Sequence, residues 1–203
     1  MRAMWMAPLI LMGCGFYEHD EGRDMAVSSR GSVCGENAIK GEVVGRVDGS
    51  GAGCGIDNAV KVTSVGGVAL SQPSVMECNT ARQLNGWVTR DMDRIVGLMG
   101  GGVQEIEVAA HYACRTRNGL PGGKLSEHAK GRAIDISGFR LRDGETLSVE
   151  EHWDDGRRGR MLSRLHATAC GPFGTVLGPK ADRFHQDHFH FDTASHQSGA
   201  YCR

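Results

Sequence analysis

The amino-acid sequence predicts an α+β fold, with a small, mostly antiparallel sheet, flanking helices and stabilising disulfides. One segment has the apolar spacing of an amphipathic helix, and several short segments alternate between apolar and polar residues as strands do. Both kinds of segment are mixed along the chain, which favours α+β over a single-class fold. With 30 glycines in 203 residues and 6% aromatic residues, we expect many turns and no helical bundle.

The first 14 residues have the character of an export signal. Arg2 precedes a short apolar run, Met4–Met12, which at about 10 residues is too short for a membrane span but suits a signal peptide. The following "LMGC" resembles a bacterial lipobox, in which the cysteine carries lipid after cleavage. We therefore expect a lipoprotein signal over residues 1–14, with Cys14 lipidated. A plain or incomplete signal and a buried first strand are the alternatives.

Residues 15–32 are polar and lack periodicity, which predicts a flexible tether. The folded domain is expected over residues 33–203. Together with the lipid anchor, this organisation predicts a periplasmic protein held on the membrane of a bacterial envelope.

Glycines are concentrated in "VDGSGAGCGIDNAVKV", residues 47–62. This segment superficially resembles a phosphate-binding loop, but no strand-to-helix transition surrounds it and a cysteine lies inside it. We interpret it as a connection between two short strands.

The clearest predicted helix covers residues 80–99. Thr80 is a candidate cap, and the glycines of 100–102 should end the helix. Its apolar residues follow the spacing of one buried face: Ala81, Leu84, Trp87, Val88, Met92, Ile95, Val96 and Met99. A second helix is expected over residues 157–168, and its buried residues would be Met161, Leu162 and Leu165.

Alternating segments predict the strands. In "VQEIEVAAHYACR", residues 103–115, one face would carry Ile106, Val108, Ala110, Tyr112 and Cys114. In "GRAIDISGF", Ile134 and Ile136 point to one side and Asp135 to the other. Asp143-Gly144 predicts a hairpin turn. "GTVLGP" and "DHFHFD" are expected to be further short strands.

Six cysteines remain if Cys14 carries lipid. An even number spread through an exported chain predicts three disulfides, although free buried thiols remain the alternative. We weakly favour the pairs Cys34–Cys54, Cys78–Cys114 and Cys170–Cys202. A zinc site made of cysteines is not expected, because the chain contains no CxxC pair.

The segment "DHFHFD" combines imidazoles and carboxylates with two phenylalanines. Because strand side chains alternate, His188, His190 and Asp192 would share one face, while Phe189 and Phe191 pack into the core. A possible partner is "SEHAKGRAID", residues 126–135, which carries His128 in a loop and Asp135 on a strand. Two histidines, one carboxylate and an open fourth position are typical of catalytic zinc. The alternative is a hydrogen-bonded polar cluster without metal.

These segments resemble known families. "SEHAKGRAIDI" followed by "HQDHFHFD" is similar to the zinc signature of the LAS metallopeptidases, which include lysostaphin, the D-Ala-D-Ala carboxypeptidases and the hedgehog signalling domain. More closely, "CRTRNG", "SEHAKGRAIDISGF", "GPFGTVLGP", "HQDHFHFD" and "YCR", in this order, resemble the extensin-like C-terminal domain family of bacteria over about residues 34–203. The resemblance implies a hedgehog/D-Ala-D-Ala peptidase-like fold.

The resemblance also implies roles for individual residues. His128, Asp135 and His190 match the zinc ligands, and His188 matches a residue that acts as base or stabilises the transition state. Arg115 matches an arginine that some members direct at the substrate carbonyl, although Arg117 lies two residues away on the same face.

A second candidate base, Asp187, lies three residues before His190. Asp187 stands where some relatives have a glutamate base, but regular alternation would point it away from the site. We therefore favour His188 over Asp187.

Other polar residues have less specific interpretations. We expect His185 to be a loop histidine, Ser126 to brace the His128 loop, and Asp192 either to orient a ligand imidazole or to cap the strand. The arginines of residues 157–164 are expected to form a solvated helix face, with contact to an anionic polymer as the alternative.

The resulting hypothesis is a zinc-dependent envelope peptidase that hydrolyses an amide bond in peptidoglycan peptides, acting as a monomer. The alternative is a non-catalytic wall-binding or scaffolding module with a structural metal. With a formal net charge of −1 and no basic stripe, the chain is not expected to bind nucleic acid.

Overall fold

The computed structural model describes residues 31–97 and 99–203. Within them lies one mixed sheet of ten strands. The strands are β1 (Ser32–Val33), β2 (Glu36–Asp48), β3 (Gly55–Val65), β4 (Val68–Glu77), β5 (Val103–Ala110), β6 (Ala133–Leu141), β7 (Thr146–Ser148), β8 (Thr175–Leu177), β9 (Phe189–Asp192) and β10 (Tyr201–Cys202).

The α-helices are α1 (Cys78–Trp87), α2 (Asp93–Val96), α3 (Val149–His152) and α4 (Gly156–Ala169). A π-helical turn, Val88–Met92, joins α1 to α2. Short 3-10 turns occur at Met99–Gly101, Arg117–Gly119 and Glu127–Lys130.

The predicted α+β class and the mostly antiparallel sheet are confirmed, but the sheet is large, not small. Its order is β1-β2-β3-β4-β5-β6-β9-β8-β10, with β7 pairing to β6. Only β4–β5 and β8–β10 pair in parallel among the described strands. The size was missed because β2, at 13 residues, is mostly exposed and shows no apolar alternation, so its sequence carries little strand signal.

The hydrophobic core lies between the sheet and the helices. Trp87 of α1 contacts Phe139 and Phe191, with ring centroids 6.2 and 5.4 Å apart. On the same side, Phe189 packs against His166 of α4 at 5.2 Å. Because side chains alternate along β6 and β9, Asp135 and His190 project from the opposite face of the sheet. The helical layer and the polar residues are therefore separated by the sheet.

The predicted helix over residues 80–99 has the expected buried face but different ends. It begins at Cys78, is interrupted by the π-helical turn, and ends at Val96, where Gly97 has φ of 59°. Thr80 is not the cap: Glu77 holds that position, and the Thr80 hydroxyl donates to the carbonyl of Gly131 at 3.1 Å. That bond ties α1 to the loop that carries His128.

Other predicted elements are placed close to expectation. The glycine-rich segment connects β2 and β3, Asp143-Gly144 turns the β6–β7 hairpin, and the second helix covers Gly156–Ala169. In contrast, β5 ends at Ala110, so the predicted strand face does not extend to Tyr112 and Cys114. Beyond Ala110 the Tyr112 amide donates to the Val75 carbonyl of β4 at 3.2 Å.

Three disulfides are present, as predicted, but two of the favoured pairings are wrong. The pairs are Cys34–Cys78, Cys54–Cys114 and Cys170–Cys202. Cys34 lies beside the first turn of α1, where Arg82 also donates to its carbonyl at 2.6 Å. The β2–β3 connection brings Cys54 to the segment after β5. These neighbours are set by strand pairing, which proximity in sequence does not reveal.

The N-terminal predictions concern residues 1–30, which lie outside the described residues, as does Cys14. Ser32 already belongs to β1, so the sheet begins one residue before the predicted domain boundary. Among the described helices, none combines the length and apolarity needed to cross a membrane.

Candidate metal centre

His128 is held in one orientation by the 3-10 turn that contains it. Ser126 precedes the turn, and its hydroxyl accepts a hydrogen bond from the His128 amide at 3.3 Å, so the predicted bracing role is present. Gly131 ends the turn with φ of 67°, and a Cβ there would lie 2.3 Å from Ile56 Cδ1. Only glycine fits this close, left-handed position.

The His128 ring has a defined orientation. Its Nδ1 lies 2.7 Å from the carbonyl oxygen of His111. A carbonyl only accepts hydrogen bonds, so Nδ1 donates to it and Nε2 faces the interior, towards Asp135. A backbone carbonyl behind an imidazole is a common support for a metal ligand.

Asp135 and His190 meet because they are paired residues of adjacent antiparallel strands, β6 and β9. Asp135 Oδ1 lies 2.8 Å from His190 Nδ1, and Asp135 Oδ2 lies 3.0 Å from His128 Nε2. All three residues are buried. Sequence alternation thus predicted the face of both residues, and strand register makes them neighbours.

The electrostatics of the cluster follow from these contacts. Burial opposes the charged form of Asp135, but hydrogen bonds with His128 and His190 outweigh it and hold the pKa of the carboxyl far below its usual value. Burial likewise opposes a charged His190, but hydrogen bonds with Asp135 and Asp192 raise the pKa of its imidazole to about 9. The cluster favours a cation between its acceptor atoms.

The donor set fits a metal ion. One atom each from His128, Asp135 and His190 lies within 4.8 Å of the others. His128 Nε2 and His190 Nδ1 face each other at 3.2 Å, and each would present a lone pair to a metal ion that takes the place of the proton it donates to Asp135. Two imidazoles and a carboxylate are common zinc ligands. Asp192 Oδ2 lies 3.1 Å from His190 Nε2. Asp192 can therefore orient the His190 imidazole, the first of the two roles expected for it.

His188 stands beside this cluster, and its contacts correct the expectation for Asp187. Its Nδ1 lies 2.8 Å from Asp187 Oδ1, and its Nε2 lies 3.8 Å from Asp135 Oδ2. Asp187 does not point to the opposite face of a strand, because β9 begins only at Phe189 and alternation does not apply before it. Asp187 instead contacts the imidazole that we favoured as the base.

The two candidate arginines both lie at the site. Arg115 Nη2 is 3.6 Å from Asp135 Oδ2, and Arg117 also lines the cleft. Neither lies on the strand, which ends at Ala110. They follow it in an irregular segment whose position is fixed by the Cys54–Cys114 disulfide.

A cleft of about 300 Å³ opens above the cluster. His185, expected as a loop histidine, does lie in a loop, but only 7% of it is exposed and it lines this cleft. Its Nδ1 lies 2.8 Å from Asp182 Oδ1. The cleft is also lined by residues that the sequence does not predict there: Asp182, Phe184, Thr175, His196 and Tyr201. Only Asp182 has a sequence signal, its spacing of three residues from His185.

Comparison with known families shows which family the chain belongs to. The family model "Extensin-like protein C-terminus" matches residues 34–203. The chain belongs to this family. The matched range contains all three disulfides and every residue of the cluster, so the cluster is part of the extensin-like domain. Comparisons with curated proteins and with solved structures found no significant match.

Proposed function

We propose that this extensin-like protein is a zinc-dependent peptidase of the bacterial envelope, which hydrolyses an amide bond in peptidoglycan peptides. The observation that carries the proposal is the convergence of His128 Nε2, an Asp135 oxygen and His190 Nδ1 at the floor of an open cleft. A buried cluster without access to solvent would suit a purely structural metal; this one borders a cleft large enough for part of a peptide.

In this proposal His128, Asp135 and His190 hold the zinc ion. Bound zinc would lower the pKa of a water molecule towards about 7 and polarise the scissile carbonyl. The contribution of the chain is to fix the three ligands. His111 and Asp192 each engage the second nitrogen of a ligand imidazole, which holds the ring orientation and the tautomer.

His188 is the proposed acid–base residue. Asp187 engages its Nδ1, so Nε2 is the nitrogen available to the cleft. From there it can accept a proton from the attacking water or donate one to the leaving amine. Arg115, on the same side of Asp135, would stabilise negative charge that develops on the substrate carbonyl oxygen.

The resemblance to LAS metallopeptidases supports the same assignment. His128, six intervening residues, Asp135 and a distant His188-Phe189-His190 reproduce their zinc pattern. We propose a hedgehog/D-Ala-D-Ala peptidase-like arrangement for the part of the sheet that carries these residues.

The envelope location rests on two features. The three disulfides suit an oxidising compartment such as the periplasm. The lipobox-like "LMGC" suits a lipid anchor at Cys14. A protein held there by its N-terminus lies beside peptidoglycan, the peptide-bearing polymer of that compartment.

Digestion of purified peptidoglycan tests the proposal. Wild-type protein should release muropeptides, detected by mass spectrometry, and a chelator should stop the release until zinc is restored. A protein that binds zinc and peptidoglycan but releases no fragment would overturn the enzymatic proposal in favour of a wall-binding module with a structural metal.

A further inference from the structure

The wall and the rim of the cleft carry three arginines that form no ion pair within the described part of the chain. Arg117 lines the cleft, and none of the carboxylates of residues 31–97 and 99–203 forms an ion pair with it. Arg183 and Arg203 lie beside the cleft residues Phe184 and Tyr201, and neither forms an ion pair with a carboxylate of the described residues. By contrast, Arg132 pairs with Glu77 at 3.5 Å on the nearby β4 end. Arginines without an ion pair also occur elsewhere on the described surface, so it is the position of Arg117, Arg183 and Arg203 at the cleft that distinguishes them.

Two of these arginines are supported by aromatic residues of the cleft wall. The Arg183 guanidinium lies 4.8 Å from the ring centroid of Phe184, and that of Arg203 lies 5.7 Å from Tyr201. Phe184 and Tyr201 line the cleft and are 38% and 49% exposed. Stacking of this kind restricts a long side chain and leaves the edge of the guanidinium free for hydrogen bonds.

The aspartates near the cleft already have other partners. Asp135 and Asp192 contact His190, Asp182 contacts His185, and Asp187 contacts His188. Each carboxylate is therefore engaged by an imidazole. An anionic group brought by a ligand would complement the arginines better than any carboxylate of the described chain.

We infer that the cleft selects peptides that carry free carboxylates, and that Arg117 of the cleft wall and Arg183, stacked on Phe184 at the rim, bind these groups. Guanidinium and carboxylate form paired, charge-assisted hydrogen bonds, which give orientation as well as affinity. The choice of a peptide rests on the proposed function; the choice of a carboxylate rests on the arginines. Arg117 would then bind the carboxylate of the substrate, while Arg115 stabilises the reacting carbonyl oxygen.

A binding experiment separates this inference from catalysis. Fluorescence anisotropy of full-length protein carrying His188→Ala would compare a labelled tetrapeptide with free carboxylates and the same peptide fully amidated. Arg117→Gln and Arg183→Gln should each weaken binding of the acidic peptide about 10-fold, the scale of one charged hydrogen bond, and leave the amidated peptide unaffected. Arg160→Gln, an exposed arginine of α4 without an ion pair among the described residues, is the matched control and should change neither.

Equal affinity for the two peptides, or an equal effect of Arg160→Gln and Arg117→Gln, would overturn the inference. So would tighter binding of tripolyphosphate than of the acidic peptide, because the site would then be one for phosphate. Unchanged circular dichroism and zinc content of each variant would exclude misfolding. Carboxylate-selective binding without peptidoglycan hydrolysis would contradict only the proposed function, whereas hydrolysis without preference for the acidic peptide would contradict only this inference.

Discussion

Four histidines of the cleft have a ring nitrogen engaged by a carbonyl or a carboxylate. For His128 the partner is the backbone carbonyl of His111. For His185, His188 and His190 it is the carboxylate of Asp182, Asp187 and Asp192 respectively. The two nitrogens of an imidazole are distinct, and the partner of one nitrogen influences which nitrogen carries the proton and what the other can do. The neighbours of these rings thus decide which nitrogen is presented to the cleft.

The ligand assignment predicts metal content. Purified wild-type protein should contain about one equivalent of zinc, and His190→Ala should lose most of it, because two remaining protein ligands bind poorly. Inductively coupled plasma mass spectrometry measures both. His166→Phe, which changes a histidine on the helical side of the sheet, is the control and should keep its zinc. Full occupancy in His190→Ala would remove His190 from the ligand set.

The role of His188 predicts a loss of activity without a loss of metal. His188→Ala should retain zinc and fold normally, while muropeptide release falls about 100- to 10,000-fold, the usual contribution of a positioned acid–base group. Because Asp187 holds His188 Nδ1, Asp187→Asn should reduce the rate less, by about 10-fold. Zinc loss in His188→Ala would mean that the roles within the His-x-His pair are exchanged.

At the scale of the element, β9 separates two environments. Phe189 and Phe191 pack under the sheet against Trp153, His166 and Trp87, while His190 and Asp192 face the site. His166 is the titratable group on the core side. Burial lowers the pKa of His166, and the backbone near Leu177 and Arg203 opposes this only in part.

That shift predicts a pH dependence of stability. The unfolded chain binds a proton at His166 with a pKa near 6.5, whereas the folded chain resists it, so the free energy of unfolding should decrease as pH falls below about 6.5. His166→Phe keeps an aromatic ring against Phe189 but removes the titration. Thermal melts from pH 7.5 to 5 should show a shallower decrease of Tm in the variant. Parallel curves for the two proteins would refute the contribution of His166.

The sequence predicted those elements whose own residues carry a periodic pattern. Ile134, Asp135 and Ile136 alternate, and Asp135 was placed on the correct face before any partner was known. The prediction for Asp187 is wrong because it applies strand alternation to a residue that lies two positions before β9 begins. The His111 carbonyl could not be found at all, since a backbone contact leaves no trace in side-chain type. The clustering of His128, Asp135 and His190 was thus predictable, but the groups that orient them were not.

At the scale of the whole molecule, cysteines and strands pair across long stretches of sequence, which local residue patterns do not encode. Cys34–Cys78 and Cys54–Cys114 each join segments that the sheet brings together, across 44 and 60 residues. A cross-link of such a span typically stabilises a domain by about 2–4 kcal/mol. The number of cysteines therefore predicts three disulfides. Their pairing depends on the order of the strands, which the sequence does not predict because β2 lacks a strand-like pattern.

The disulfide set predicts the thiol content of the mature protein. Denatured, non-reduced protein should show no reactive thiol except at Cys14, and then only where lipid has not been attached. Titration with a thiol reagent measures this, and reduced protein provides the reference for full reactivity. Several reactive groups in the non-reduced sample would contradict the three bridges.

The N-terminal sequence predicts attachment to a membrane. Cys14→Ser should leave the protein soluble or unprocessed, because the lipid acceptor is gone, whereas wild-type protein should sediment with membranes. Cell fractionation followed by immunoblotting checks this, with Cys14→Ala as a second variant. A membrane-bound, fully processed Cys14→Ser protein would show that the anchor lies elsewhere.

The separation of the helical layer from the cleft by the sheet has an evolutionary consequence. The proposed ligands lie on β6, β9 and a glycine-terminated turn, whereas the cleft wall includes Arg117, Phe184 and Tyr201, which lie near loops or the chain end. Such loops can change with little effect on the packing around Trp87 and Phe191. Relatives could thus acquire new substrates by exchanging the loop segments at 113–125 and 179–188, and grafting these segments between family members should transfer substrate preference while preserving the fold.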